Sequence, residues 1–148
     1  MKKFIFLLII FLSACGYQPI YVNKIKDKIE FSKISLSGNE EINFKILRSI
    51  NIKENEKNNL NTDLELKSNF KVEETSKNSK GQTTSFRSVA TIELTIKKDN
   101  EIQKNKVFSQ DFTYANKDNK YDLVKYQSEI KNNILDKIIE EIILYLNL

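Results

Sequence analysis

The sequence contains no histidine and no tryptophan, and its 148 residues include one cysteine, one proline and three glycines. Without histidine there is no Ser-His-Asp triad and no Cys-His pair. A single cysteine excludes an internal disulfide and a zinc-finger ligand set. Three glycines supply neither GxGxxG nor a P-loop, and neither pattern occurs. We therefore expect a binding or assembly protein rather than an enzyme, with no catalytic residue, metal site or cofactor.

The overall composition is that of a globular chain, with 40% hydrophobic and 30% charged residues and a length that fits one domain. The sequence contains 24 lysines and arginines and 20 acidic residues. Two of these lysines, Lys2 and Lys3, precede Cys15, so the chain from Cys15 onward carries a net charge of only about +2. No nucleic-acid partner is expected at so small a net charge.

The first 14 residues have the three-part layout of a secretory signal peptide. Lys2 and Lys3 precede an apolar run from Phe4 to Leu12. This run would form roughly 14 Å of helix, about half of a bilayer's hydrocarbon core, so it is too short to span a membrane. It ends in Leu-Ser-Ala-Cys15, the lipobox pattern read by lipoprotein signal peptidase. An apolar N-terminal helix with a buried cysteine is the alternative, which the flanking lysines and the lipobox disfavour.

We predict that residues 1–14 are cleaved and that Cys15 carries an S-diacylglycerol and an N-acyl group such as palmitate. Three acyl chains make membrane attachment effectively permanent. Gly16 stands where inner-membrane lipoproteins of bacteria usually have aspartate, so the expected location is the outer membrane, with the domain on its periplasmic side. Residues 15–28, which include the only proline, are predicted to form an extended tether.

Residues 29–148 are predicted to form a single α+β domain with the order β-α-β-β-β-α. Apolar and polar residues alternate between Ile29 and Ser37, but the alternation shifts by one residue partway along this segment. The shift predicts one strand with a bulge. Asn39 is the predicted N-cap of the first helix, with Glu40 and Glu41 in its first turn. Helical spacing then places four apolar residues on one face: Ile42, Ile46, Leu47 and Ile50.

Three more strands and a long helix are predicted after the first helix. Alternation predicts strands near 64–72, 86–97 and 108–114, with polar loops at 53–61, 73–84 and 116–122. Asp99-Asn100 predicts a tight hairpin turn. Apolar residues at helical spacing over 122–146 predict the closing helix. Together these elements predict a four-stranded, mostly antiparallel sheet with two helices packed on one face.

The segment from Cys15 to Tyr21, C-G-Y-Q-P-I-Y, resembles the opening of the lipopolysaccharide (LPS)-assembly lipoprotein family, LptE, in which C-G-[FY]-x-P-[LI]-Y is common among the shorter members. The element order, the polar loop at Gly81, the aromatic passage Phe108–Tyr114 and the closing helix are also similar. The resemblance implies a non-enzymatic lipoprotein in the lumen of a large outer-membrane β-barrel, the LPS-assembly protein LptD. Such a protein helps the barrel fold, plugs it and binds LPS during its transfer to the outer leaflet.

The free face of the predicted sheet offers a polar surface suited to a wet barrel lumen, formed by Arg87, Thr91, Glu93, Thr95 and Lys97. LPS presents phosphates on an acylated disaccharide, so cations beside apolar or aromatic surface would suit it. Lys80, Arg87 and Lys125 are the candidate LPS contacts, and the simpler alternative is that they are solvated cations.

Two other functions compete with this hypothesis. An accessory lipid-binding lipoprotein of an envelope phospholipid or solute transporter would need an apolar cavity. A periplasmic hydrolase is disfavoured, because the sequence offers no nucleophile-base pair. Its adjacent carboxylate pairs, such as Glu140-Glu141, diverge on a helix or strand, and nothing in the sequence shows them converging in a pocket.

Overall fold

The computed structural model describes residues 28–56 and 61–146. The predicted signal peptide, Cys15 and nearly all of the predicted tether lie outside these ranges. The helices and strands within them are, in chain order, β1 Ile29–Phe31, β2 Lys33–Gly38, α1 Glu40–Ile50, β3 Ile52–Glu54, β4 Thr62–Lys77, β5 Thr83–Lys98, β6 Glu101–Ala115 and α2 Lys120–Leu146.

Four strands form the main sheet, in the order β2-β4-β5-β6. The chain passes through α1 between β2 and β4, which pair in parallel, and β4, β5 and β6 then form an antiparallel meander. Asp99 and Asn100 join β5 to β6 with φ values of 52° and 67°, as a tight hairpin turn requires. The predicted α+β class, the mostly antiparallel sheet and the order β-α-β-β-β-α are confirmed.

The predicted single bulged strand between Ile29 and Ser37 is wrong in detail, because it consists of two strands in two sheets. β1 pairs in parallel with β3, and β2 pairs with β4. The slip in apolar phase marks this change of partner at Ser32. β3 lies where a loop was expected, with Ile52 buried in the core. β4 likewise continues through Lys77, so the predicted loop at 73–84 shortens to a turn.

Both helices pack on one face of the main sheet and close a single core. The predicted stripe of α2 is buried at Ile130, Ile134, Ile138 and Ile142, with Leu135, Ile139 and Ile143 widening it. The sheet and α1 contribute the other buried apolar side chains, among them Ile42, Ile46, Leu64, Leu66, Ile92, Leu94 and Phe108. Burial of each large apolar side chain contributes about 1.5–3 kcal/mol, so these contacts dominate the docking of the helices.

The entry into α1 is fixed by hydrogen bonds at its first turn. Asn39 Oδ1 accepts the backbone N–H of Ile42 at 3.1 Å, which confirms the predicted N-cap. Gly38, with φ at +83°, passes so close to β4 that a Cβ there would overlap the carbonyl oxygen of Ser68. This close approach requires glycine at position 38.

Candidate functional site

The face of the main sheet opposite the helices is polar and carries the side chains predicted for it. Arg87, Thr91, Glu93 and Lys97 are partly or fully exposed, whereas Thr95 is only 6% exposed. Successive side chains of β5 point to opposite faces of the sheet, so these residues lie on the polar face and the residues between them point into the core. We call this surface the open face, formed by the outward side chains of β2, β4, β5 and β6.

Cross-strand polar pairs line much of the open face, which also exposes Val107 of β6. Lys97 Nζ lies 2.5 Å from Glu65 Oε1, and Asn105 Nδ2 donates to Thr95 Oγ1 at 2.8 Å. This hydrogen bond from Asn105 satisfies the Thr95 hydroxyl, so Thr95 can be buried although it lies on a polar face. The open face is therefore suited to contacts through hydrogen bonds and water rather than to burial in an apolar interface.

Arg87 is oriented by an acidic neighbour on the open face. Its Nε donates to Asp111 Oδ2 at 2.9 Å, and the two side chains are 46% and 43% exposed. This hydrogen bond from Arg87 holds the pKa of the Asp111 carboxyl below its usual value and raises the pKa of Arg87. The carboxylate partly neutralises Arg87 and so weakens it as a free anion contact.

Lys80 and Lys125 lie at one end of the domain, where the β4–β5 turn meets the start of α2. Asn78 shapes that turn, because its Oδ1 accepts the backbone N–H groups of Lys80 and Gln82, both at 3.0 Å. Asn116 Nδ2 donates to the carbonyl of Thr83 at 2.8 Å and ties the end of β6 to the same place. Lys80 therefore extends from a turn with a defined backbone.

A groove of about 620 Å³ lies between this turn and the start of α2, and we call it the turn groove. Amides and hydroxyls line it from Asn78, Gln82, Thr83, Thr84 and Asn116, with charges from Lys117, Asp118 and Lys120. Phe86 and Leu123 supply its apolar part. Phe86 stacks on Tyr114 at 5.9 Å between ring centroids, and Tyr114 meets Tyr126 edge-on at 5.7 Å.

Lys117 was missed by the sequence reasoning. Its Nζ lies 4.2 Å from the ring centroid of Tyr126, so it places a cation on the aromatic cluster beside the turn groove. The available signal was a lysine-containing loop, residues 116–122, between an aromatic strand and a helix. Its contact with Tyr126 depends on how α2 folds back, which the local pattern does not encode.

The three predicted LPS contacts do not form one cluster. Lys80 and Lys125 share the end of the domain that holds the turn groove. Arg87 points from β5 to the open face, on the opposite side of the sheet from α2 and Lys125. Within residues 28–56 and 61–146, no group of three acidic side chains is placed to hold a metal ion. None of the helices in this part of the chain is long and apolar enough to cross a membrane.

The architecture defines the class: an α+β sandwich with two helices on one face of a four-stranded sheet and a polar open face. Solved structures of bacterial lipoproteins share this fold. Rare lipoprotein B from Shewanella oneidensis superposes with a TM-score of 0.50 at 15% identity, covering 74% of this chain and 92% of that one. An uncharacterized lipoprotein B from Nitrosomonas europaea gives a TM-score of 0.54 at 8% identity, covering 78% and 81%.

At these identities the likeness shows the fold, and function needs a separate argument. No family model matches the sequence. No curated protein matches it either.

Proposed function

We propose that this chain is an outer-membrane lipoprotein that partners and plugs the LPS-assembly β-barrel, LptD, and aids both barrel assembly and LPS insertion into the outer leaflet. The lipobox at Cys15 and the C-G-Y-Q-P-I-Y opening resemble LptE. The fold, shared with solved bacterial lipoproteins, is compatible with that role. The observation that carries the proposal is the open face, a broad polar surface beside a fully packed core.

The open face fits the interior of a barrel for a physical reason. Lumens of outer-membrane barrels are polar and hydrated, so a plug must offer hydrogen-bonding groups along its contact surface. The paired side chains of Lys97 with Glu65 and Arg87 with Asp111 provide such groups without isolated buried charges. Lys67 and Asn69 are exposed on β4 within this face.

A photo-crosslinking side chain in place of Asn69 tests this contact in intact cells. We expect irradiation to join the chain to one large β-barrel protein, identified by mass spectrometry, and the unirradiated sample serves as control. If Asn69 captures transporter subunits, or no barrel at all, the open face is not the barrel contact and the proposal fails.

LPS contact is proposed at the turn groove. Lysines bind phosphate through charge-assisted hydrogen bonds. Lys117 and Lys120 line the groove, and Lys80 and Lys125 lie on the turn and the helix that border it. Asn78, Gln82 and Asn116 offer amides for sugar hydroxyls, and Phe86 offers apolar surface. This arrangement is the combination of cation, polar group and apolar surface that a phosphorylated, acylated disaccharide requires.

Charge reversal distinguishes this proposal from the alternative that these lysines are solvated cations with no role in LPS binding. We expect Lys80→Glu combined with Lys125→Glu to weaken LPS binding about tenfold, which corresponds to about 1.4 kcal/mol. Lys53→Glu on β3, an exposed lysine at the other end of the domain, is the matched control and should leave binding unchanged. Equal binding by the double variant and the wild type would refute the assignment of Lys80 and Lys125.

The alternative function, an accessory lipid-binding lipoprotein of a phospholipid or solute transporter, needs an apolar cavity for acyl chains. In the described domain, isoleucine and leucine side chains fill the space between sheet and helices, and the larger grooves open to solvent. These observations favour the barrel partner over a carrier that encloses lipid.

A further inference from the structure

β6 is an edge strand with a long free side. It pairs with β5 on one side and, in the part of the chain that the structure describes, with no strand on the other. Its 15 residues contain no proline, and its register shift lies near its start, opposite Ile96 and Lys97. A free edge presents unpaired backbone N–H and C=O groups, which pair readily with another strand. The other edge, β2, has only six residues.

The C-terminal half of β6 borders an acidic groove. Phe112, which is 47% exposed, opens into a groove of about 500 Å³ between β6 and α2, with Ile130 and Ile134 at its apolar side. Glu129 and Glu140 of α2 line the same groove. Within residues 28–56 and 61–146, neither of these glutamates forms an ion pair.

The remaining charges of this groove are largely neutralised. Asp136 pairs with Lys45 at 2.9 Å, and Asp111 pairs with Arg87. Lys137 is the cation that lines the groove itself. Glu129, Glu140 and Lys137 are the unpaired charges, so the groove keeps a net charge of −1.

The N-terminal half of β6 is basic. Lys104 and Lys106 point toward the helix side of the strand, where Lys106 Nζ lies 4.9 Å from the ring centroid of Phe108 and 5.1 Å from that of Tyr145. Lys104 Nζ lies 5.4 Å from the ring centroid of Tyr145. Both lysines lack a carboxylate ion-pair partner among the described residues. With Glu101 at its start, the half of β6 before Ser109 has a net charge of +1, and the half after Ser109 borders the net negative groove of α2.

We propose that β6 pairs antiparallel with β6 of a second copy of this chain, about a two-fold axis at Ser109. In this pairing Lys106 of one copy lies opposite Phe112 of the other, and its ammonium reaches toward the other copy's acidic groove at Glu129. The two main sheets become one eight-stranded sheet with all helices on the same side. The pairing needs neither the barrel nor LPS, and it concerns copies of this chain outside a barrel lumen, so it stands apart from the proposed function.

A second copy fits this edge because a two-fold interface must be self-complementary. Antiparallel pairing reverses the order of charges, so the basic half of each strand meets the acidic half of the other. Two strands of the same length also satisfy each other's free backbone groups over most of that length. The exposed ring of Phe112 would be covered in both copies by the same contact.

Ser109→Cys in the full-length chain tests the pairing directly in the membrane. Residues opposite each other in an antiparallel pair have Cα atoms about 4.5–5.5 Å apart, within the disulfide range of roughly 4.4–6.8 Å. We expect a disulfide-linked dimer of this chain on a non-reducing gel, lost on reduction and absent from the wild type. Ser35→Cys, an exposed serine on the β2 edge, is the matched control. Monomer only, equal linkage from Ser35, or a mixed disulfide with another protein would each overturn the proposal.

Charge exchange gives an independent result in the same background. Both Lys106 and Glu129 are exposed, so substitution there leaves the core intact. We expect Lys106→Glu or Glu129→Lys alone to reduce disulfide linkage several-fold, and the double variant to restore most of it. A double variant that links no better than either single variant would refute the charge complementarity. Thermal unfolding followed by circular dichroism confirms that each variant folds.

Discussion

Ser88 Oγ and Tyr114 Oη lie 3.1 Å apart in the buried layer between the sheet and α2. Ser88 is fully buried and Tyr114 is 5% exposed. This hydrogen bond satisfies two hydroxyls in the core and holds the Tyr114 ring between Phe86 and Tyr126, beside the turn groove. The stability of the core and the geometry of the turn groove therefore both depend on the hydrogen bond between Ser88 and Tyr114.

Tyr114→Phe removes one partner and leaves the Ser88 hydroxyl buried without this hydrogen bond. We expect the free energy of unfolding to fall by about 1–3 kcal/mol, measured by urea denaturation. Adding Ser88→Ala to Tyr114→Phe removes the remaining hydroxyl and should recover part of that loss. A Tyr114→Phe variant as stable as the wild type would show that the hydrogen bond contributes nothing.

Gly38→Ala and Gly81→Ala form a matched pair, because both glycines have positive φ values, +83° and +77°. At Gly81 the added methyl group meets open space, so the expected loss is only that of the left-handed backbone, about 1 kcal/mol. At Gly38 it would also overlap the Ser68 carbonyl, and the loss should be at least twice as large. Equal melting temperatures for the two variants would contradict the close approach of β2 and β4.

Lys131 links the two helices electrostatically, since its Nζ donates to Glu41 Oε2 at 2.7 Å. This hydrogen bond holds the pKa of the Glu41 carboxyl below its usual value. A lowered folded-state pKa stabilises the fold above the pKa of the unfolded chain, and the effect is lost as pH falls through the folded value. Glu41 is 79% exposed, so solvent screening limits the contribution to about 0.5 kcal/mol.

Glu41→Gln should therefore destabilise the domain slightly at neutral pH. The difference in free energy of unfolding between the variant and the wild type should become smaller in acid. Chemical denaturation at about pH 7 and about pH 3 measures both values. A difference of the same size at both pH values would assign the effect to something other than the charge of Glu41.

Cys15→Ala tests the predicted lipid site. We expect the wild type to incorporate labelled palmitate and to partition with outer membranes, and the variant to incorporate none and retain its signal peptide. Label that persists in the variant would place the lipid on another residue.

The strand faces could be predicted from sequence because their signal is local. In β5, alternation alone assigns Ser88, Ala90, Ile92 and Leu94 to the core side and their neighbours to the open face. The division between β1 and β2 could not be predicted, because it depends on which distant strand each segment pairs with. β3 is a short, largely polar segment that is a strand only through its pairing with β1.

The candidate site was predictable to a similar degree. A turn before β5 and the start of the last helix are recognisable, so Lys80 and Lys125 could be singled out. Their shared end of the domain follows from the antiparallel topology. The contact of Lys117 with Tyr126 and the pairing of Arg87 with Asp111 join separate elements, and such contacts need the folded structure.

The most direct test of the central claim is affinity purification of the tagged, lipidated chain from detergent-solubilised outer membranes, followed by mass spectrometry. The account predicts stoichiometric recovery of one large β-barrel protein. Recovery of transporter subunits, or of lipid without any barrel, would contradict it and favour the accessory lipid-binding function.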